Sequence, residues 1–392
     1  MREPVKARRN RVAPHVALLI ETSLASGRDI LRGIARYVRE HEPWSLYHEP
    51  HGLEKSVPRW LRGWKGDGII ARIGSRRMAR ELASTGIPVV DVLGLVPNLS
   101  FPLVHVDNEA IGRMAAEHLL ERGLRHFGFF GIQDESWSQQ RYAGFSAAVA
   151  DLQDNVAIYQ LPRDTRGQRS WERAENKLAR WVASLPKPVG VLVCSDQRGP
   201  QLLEACRRAG ATVPDQVAVI GVDNDEPLCE VALPPLSSIE AAHSRVGYEA
   251  AALLAGMLKG QAAPKKPLLI EPRGIIARPS TDMLAVGDPV MASALRLIRD
   301  NAASGLKVTA IARHVGLSRS VLQRRFRTIL KRSVHQEILS ARIKRARDLL
   351  VRTDLPLAQI AERAGFKHQE YMGAVFRARV GQTPAQLRAA AR

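Results

Sequence analysis

Apolar and polar positions divide this chain into two regimes. From residue 15 to about 280, short apolar runs alternate with stretches of helical period. HVALLI (15–20) reads as a strand, and the helix after it sets Ile30, Leu31, Ile34, Ala35 and Val38 on one face. GDGIIARI, GIPVVDVLG, HFGFFG, VGVLVCSD and VAVIGVDND are further buried-strand runs. EAIGRMAAEHLLERG and QLLEACRRAG supply helices between them, the first closing on Gly123. Strands separated by crossover helices predict parallel sheets. A body of about 265 residues exceeds one doubly wound sheet, so two such lobes are expected.

Beyond TDMLAVGDP (281–289) strand patterns stop. Asp288-Pro289 reads as an N-cap and first helical residue, followed by the stripe Val290, Met291, Ala294, Leu297 and Ile298. The expected organisation is an N-terminal arm (1–14), an α/β body (15–280), a linker (281–289) and an all-α domain (290–392).

The helical region contains an echo. Ile311-Ala312 and Gly316 match Ile360-Ala361 and Gly365 at an offset of 49, while Leu322 and Phe326 match Met372 and Phe376 at an offset of 50. Each unit is a short helix, a glycine, and a second helix with an apolar residue every four positions. That is the layout of a helix-turn-helix: glycine takes the positive φ at the first C-cap, and the apolar residues pin the second helix. HQEILSARIKRARDLLVRT, with Leu339, Ile343, Ala346 and Leu350 in register, joins the units.

Charge sharpens this picture. The net +19 is concentrated at the ends: 288–392 carries 21 Lys/Arg against 7 Asp/Glu, residues 1–14 hold +4, and 15–287 only +1. A basic terminal domain is an electrostatic footprint for nucleic acid. Cys194, Cys206 and Cys229 form no CxxC pair and read as reduced, buried thiols. VALLI is too short for a signal-peptide core and no apolar run approaches a membrane span, so a cytoplasmic protein is expected. There is no P-loop, GxSxG, HExxH or metal-ligand spacing, and no GxGxxG after the first strand. No catalysis, cofactor or metal is expected.

IAERAGFKHQEYMGAVFRARVGQTPAQLR is similar to the second-motif signature of AraC/XylS-type regulators. Ile360, Ala361, Gly365, Phe366, Tyr371, Phe376, Gly381, Thr383, Pro384 and Arg388 fit; Met372 and Leu387 stand where Phe and Tyr are usual. The resemblance implies two helices placed in successive major grooves of double-stranded DNA. By register, Arg319, Ser320, Gln323 and Arg324 then face the bases, with residue types suited to guanine and adenine edges. In the second unit the corresponding positions are Lys367, His368, Gln369, Glu370, Gly373 and Ala374. Gly373 and Ala374 are too short to reach a base, so the first unit is expected to read more sequence, with Lys367, Arg377 and Arg379 holding the backbone. Taken singly, any of these arginines also fits a solvated helix face.

In the body, VHVDNEAIGRMAAEHLLERGLRHFGFFG, RYAGF, VCSDQ and VPDQVAVIGVDND form a series that resembles the effector domain of LacI/GalR repressors. The resemblance implies two doubly wound lobes, as in bacterial sugar-binding proteins, with the ligand between them. Ligands in such sheets bind beyond the carboxyl ends of strands. Ser23, Asp196 and Asp223-Asn224 follow strand runs, and Arg141 opens the RxxGF motif. Carboxylates and amides suit vicinal hydroxyls, and Trp137 reads either as an apolar wall or as loop packing. Glu21 and Arg28 are further candidates; Asp107-Asn108 reads as a helix cap.

LacI-type proteins carry their reader before the sensor, whereas here it follows. That swapped order resembles the bacterial regulators of xylose operons. It implies a homodimer that binds operator DNA, senses a pentose such as D-xylose and works with RNA polymerase to activate pentose-catabolic genes. The same architecture would serve another sugar, or a repressor. An exported sugar-binding protein would lack the basic tail, and an architectural or repair DNA-binding protein would leave the body without a role.

Overall fold

A computed structural model of the chain describes residues 13–49, 58–151, 156–162, 171–282, 289–330, 332–353 and 355–391. Nearly all of the N-terminal arm and most of the linker, with Asp288, lie outside these. The chain divides into two compact units, Met1–Met283 and Leu284–Arg392.

The first unit is built from two parallel-sheet lobes. The N-terminal lobe holds β1 (His15–Leu19), α1 (Ala25–Glu40), β2 (Ser45–His48), β3 (Gly68–Ala71), α2 (Arg76–Ala83), β4 (Val89–Asp91) and β5 (Val104–Val106). Its parallel sheet runs β2-β1-β3-β4, and an Asp91–Leu103 bridge leads on to β5. The second lobe holds α3 (Asn108–Leu120), β6 (His126–Ile132), α4 (Ser136–Val149), β7 (Ala157–Leu161), α5 (Trp171–Ser184), β8 (Val189–Val193), α6 (Gly199–Arg208), β9 (Val217–Val222), α7 (Glu226–Val231) and β10 (Ser237–Glu240). The chain then returns through α8 (His243–Leu258) and β11 (Leu268–Ile270), which pairs with β5, and ends in β12 (Gly274–Ile276). The second sheet runs β12-β10-β9-β8-β6-β7, with only the last-added β12 antiparallel. Three strands of chain therefore cross between the lobes: after β5, after β10 and after β11.

The central strands are buried on both faces, which is why they read as unbroken apolar runs. Helix pairing depends on glycine. A Cβ at Gly112 would lie 2.1 Å from the Arg141 carbonyl oxygen, and one at Gly144 would lie 2.0 Å from that of Glu109. Backbone-to-backbone packing of α3 on α4 thus explains the glycine of the RxxGF motif, while Phe145 is fully buried beside it. Thr281 is completely buried, its hydroxyl bonded to His118 Nε2 at 2.9 Å and to the Ser237 hydroxyl at 2.7 Å, so it closes the sensor.

The second unit comprises α9 (Pro289–Asn301), α10 (Val308–His314), α11 (Arg319–Leu330), α12 (Val334–Arg352), α13 (Leu357–Arg363), α14 (Gln369–Val380) and α15 (Pro384–Ala391). It has two small cores. Met291, Leu295, Ile298, Ile311, Leu322 and Phe326 fill the first; Ile360, Ala361, Phe366, Met372, Phe376 and Leu387 fill the second. Helix α12 joins them, giving Val334 and Ile338 to one and Ala346 and Leu350 to the other. Its N-terminus is fixed by a capping box between Ser333 and Gln336.

Candidate functional site

Between the lobes of the first unit lies a cavity of about 310 Å³. Its volume is at the small end for ligand sites. Arg72, Leu93, Leu95 and His105 line it from the first lobe, and Ile132, Trp137, Arg141, Asp196 and Asp223 from the second. Arg72 and Asp223 immediately follow β3 and β9, and Asp196 follows β8 within three residues, as the carboxyl-end rule requires.

Arg141 is buried and locked in place. Its Nε donates to Asn108 Oδ1 at 2.9 Å, one terminal nitrogen donates to the Cys194 carbonyl, and the other meets Asp223 Oδ1 at 3.4 Å. The Trp137 ring covers its guanidinium at 5.0 Å, and the indole N–H donates to Glu135 Oε2 at 2.9 Å. Asp223 has φ +100° and Asn224 +49°, a strained turn that aims the Asp223 carboxylate inward. Burial would raise that carboxyl's pKa, but the Arg141 charge and the His243 hydrogen bond at 3.0 Å outweigh it and hold it well below the usual range. An ionised Asp223 only accepts, so His243 Nε2 carries the proton.

Asp196 is committed to the protein. Its carboxylate accepts from the Ser238 hydroxyl at 2.7 and 2.9 Å and from the Asp225 N–H at 2.8 Å. Burial, then the neighbouring Asp223 charge, pushes its carboxyl up to about 7. Asp196 thus builds the turn that carries Asp223 and Asp225 as well as lining the cavity.

Ser23 and Asn224, like Glu21 and Arg28, lie outside the cavity lining. Ser23 is exposed, and the hydroxyl that lines the cavity is Ser26, one turn later and within 3.1 Å of Arg72. Asn224 points elsewhere: its Oδ1 accepts from Arg278 at 2.9 Å. Both sit one or a few residues from a lining position because turn geometry, which the pattern does not encode, decides which side chain faces in. Asp107 caps α3 by accepting from the Ala110 N–H at 2.9 Å, while Asn108 positions Arg141. Sequence reasoning missed Arg72, His105 and His243. Arg72, which ion-pairs with the buried Glu21, could have been found by the carboxyl-end rule. Arg28 reaches Asp225 of the other lobe at 3.7 Å.

In the second unit both copies of the repeat make the same glycine turn. Gly316 has φ +68° and Gly365 +86°, and the next residue's N–H returns to the first helix in each: Leu317 to Ala312 at 2.9 Å, Phe366 to Ala361 at 2.8 Å. Arg319, Ser320 and Arg324 are exposed on α11 and Gln323 is half-buried. Ser318 caps this helix by accepting from the Val321 N–H at 3.3 Å, and its hydroxyl meets that of Ser320 at 3.1 Å. Lys367, His368, Gln369 and Arg377 are exposed at and along α14. A Cβ at Gly373 would meet nothing within 4 Å, so open space lies where a reading side chain would project. Tyr371 fits the motif but is 53% exposed rather than part of the frame. Arg388 ties α15 down by donating to the Leu355 carbonyl at 2.7 Å.

A two-lobed cleft of the sugar-binding type, carried on one chain with a paired helix-turn-helix reader, defines a sugar-responsive, DNA-binding transcription regulator. Family models agree with that division: the XylR N-terminal domain matches residues 15–106, a periplasmic binding protein-like domain 116–281, and a helix-turn-helix domain 311–390. The xylose operon regulatory protein of Escherichia coli K12 is 30% identical over 381 residues, covering 95% of this chain and 96% of that protein. Its Haemophilus influenzae counterpart is 31% identical over 381 residues, covering 95% and 97%. A solved structure of the xylose-binding transcription activator XylR matches with a TM-score of 0.79 and 29% identity over 97% of this chain and 98% of that one. The chain belongs to the family of xylose operon regulatory proteins.

Proposed function

We propose that this protein binds D-xylose in the cleft between its lobes and, as a cytoplasmic homodimer on operator DNA, activates pentose-catabolic genes through contact with RNA polymerase. The observation that carries the sugar reading is that the arginines of the cavity wall are already paired. Arg141 is matched by Asp223 and Arg72 by Glu21, so neither is a bare cation to draw an anion into the site, and the wall offers directional hydrogen bonds. A small neutral polyol suits that wall, with Trp137 as its apolar face. Similarity to the xylose regulators supports xylose within that class.

The mechanism is a population shift. A sugar touching both lobes favours their closed arrangement, and the Arg28–Asp225 pair, which spans the lobes, adds to the same state. The closed sensors set how the paired readers meet DNA, with Arg319, Gln323 and Arg324 on bases and Lys367 and Arg377 on phosphates. The test is calorimetric titration of the whole chain with D-xylose, L-arabinose, D-ribose and D-galactose, paired with operator footprinting with and without sugar. D-xylose should bind most tightly and change the footprint. Stronger binding of another sugar would overturn the xylose assignment; an unchanged footprint and unchanged transcription in vitro would overturn the coupling.

A further inference from the structure

We propose that His105 reads a ligand hydroxyl from the first lobe, as an uncharged imidazole that gives one hydrogen bond and takes another. The inference rests on the sugar-binding reading of the cleft and names a recognition residue within it.

Strand alternation supplies the starting point. Val104 and Val106 of β5 enter the main core, so His105 between them faces the other way, into the cavity wall. Its residue is only 9% exposed, yet neither ring nitrogen makes a hydrogen bond to the protein. The backbone of Val92 is a polar neighbour that favours the protonated ring, but it does not meet either nitrogen with hydrogen-bond geometry. Buried polar groups are almost always paired, and each exception calls for an explanation. On the opposite wall every nitrogen of Arg141 has a protein acceptor, and both oxygens of Asp196 have donors. Uncommitted hydrogen-bonding capacity in the cavity wall thus includes both His105 nitrogens, beside Arg72 Nε and His243 Nδ1, which are also unpaired.

The protonation state selects the ligand chemistry. Burial, reinforced by His243, Arg72 and Arg141, pushes the His105 imidazole down to about 3, so it is neutral at physiological pH. A neutral imidazole has one N–H and one lone pair. A hydroxyl, which both donates and accepts, satisfies either nitrogen; a carboxylate or phosphate would face the lone pair without a donor.

His105→Phe keeps the ring's shape and removes both nitrogens; His105→Gln restores a donor and an acceptor. In calorimetric titrations of the full chain, His105→Phe should raise the D-xylose dissociation constant about 10- to 100-fold, with His105→Gln recovering part of the loss. Thermal unfolding without sugar should occur at an equal or higher temperature for His105→Phe, because two unpaired buried nitrogens are gone; a lower value would mean a structural role and overturn the proposal. One of the monodeoxy-D-xyloses, the one lacking the hydroxyl read, should bind wild type and His105→Phe alike. Binding of D-xylose by His105→Phe within twofold of wild type, or the same further loss for every deoxy analogue, would overturn the contact while leaving the xylose reading intact. If wild type prefers L-arabinose or D-ribose, the xylose reading fails and the same substitution is read on that sugar; binding of no sugar defeats both.

Discussion

Asp196→Asn separates a carboxylate that builds the cleft from one that binds ligand. The substitution keeps the side chain's shape and removes its titration. In the native fold the group's ordinary value of 3.8 is raised to about 7 by burial and then by Asp223. The folded state thus keeps a proton that the unfolded chain has released across that interval. The contribution favours folding below about pH 4 and is lost as pH rises to about 7. At about 1.4 kcal/mol per unit, that loss is roughly 4 kcal/mol. Asp91, pushed up to about 6 by burial, acts in the same direction. His118 at about 4 and His105 at about 3 act oppositely, since burial keeps them neutral and stability grows as pH rises toward 6.5. The native profile is therefore shallow, and only the difference between variant and wild type isolates Asp196. All six tryptophans precede residue 182, so urea unfolding of the full chain followed by their fluorescence reports the sensor alone. Between pH 4 and 7.5 the wild type should lose roughly 4 kcal/mol relative to Asp196→Asn. Parallel profiles would refute the reasoning, because burial and the Asp223 charge would then not outweigh the Ser238 and Asp225 donors.

Arg324→Ala should weaken operator binding about 10- to 100-fold while changing random-sequence binding little, by fluorescence anisotropy; equal losses would make Arg324 a phosphate contact. Lys367→Ala should weaken both alike and lower the slope of log affinity against log salt by about 1. Gly316→Ala and Gly365→Ala should each cost roughly 1 kcal/mol for left-handed backbone. Gly365→Ala should cost more, since its Cβ would lie 2.5 Å from Ala303 Cα whereas that of Gly316 meets nothing within 4 Å; equal melting by circular dichroism would contradict this. Arg28→Ala should weaken sugar binding a few-fold at low salt and not at 1 M salt, because Arg28 is 40% exposed and its pair is screened; a loss that persists would mean a direct ligand contact.

Much of the site was legible because doubly wound sheets place ligands by rule. Asp196, Asp223 and Arg141 all line the cavity, and each lies where a strand end or the RxxGF motif put it. Gly221 held a clue that the sequence reading did not use: a Cβ there would lie 2.1 Å from Asp196 Oδ1, the close approach that a glycine inside a strand pattern signals. Ser23 and Asn224 show where the rule stops. Turn φ values of +100° and +49° rotate Asp223 inward and leave Asn224 to Arg278. His243 was out of reach, since it enters the cavity only because the chain crosses between lobes after β10.

The sequence by itself determined the periodicities, and with them the two lobes, the repeated helix-turn-helix frame and the concentration of positive charge in the reader. These follow from local rules: alternation, helical period, caps and the backbone freedom of Gly316 and Gly365. Only the tertiary structure decided which polar groups are already spent. Asp196 and Arg141 face the cavity with their hydrogen bonds largely taken by Ser238, Asp225, Asn108 and Cys194, while His105 on the other wall has none. Hydrogen-bond satisfaction is a property of partners far apart in the chain, 42 residues for Ser238 and Asp196, and no local pattern carries it.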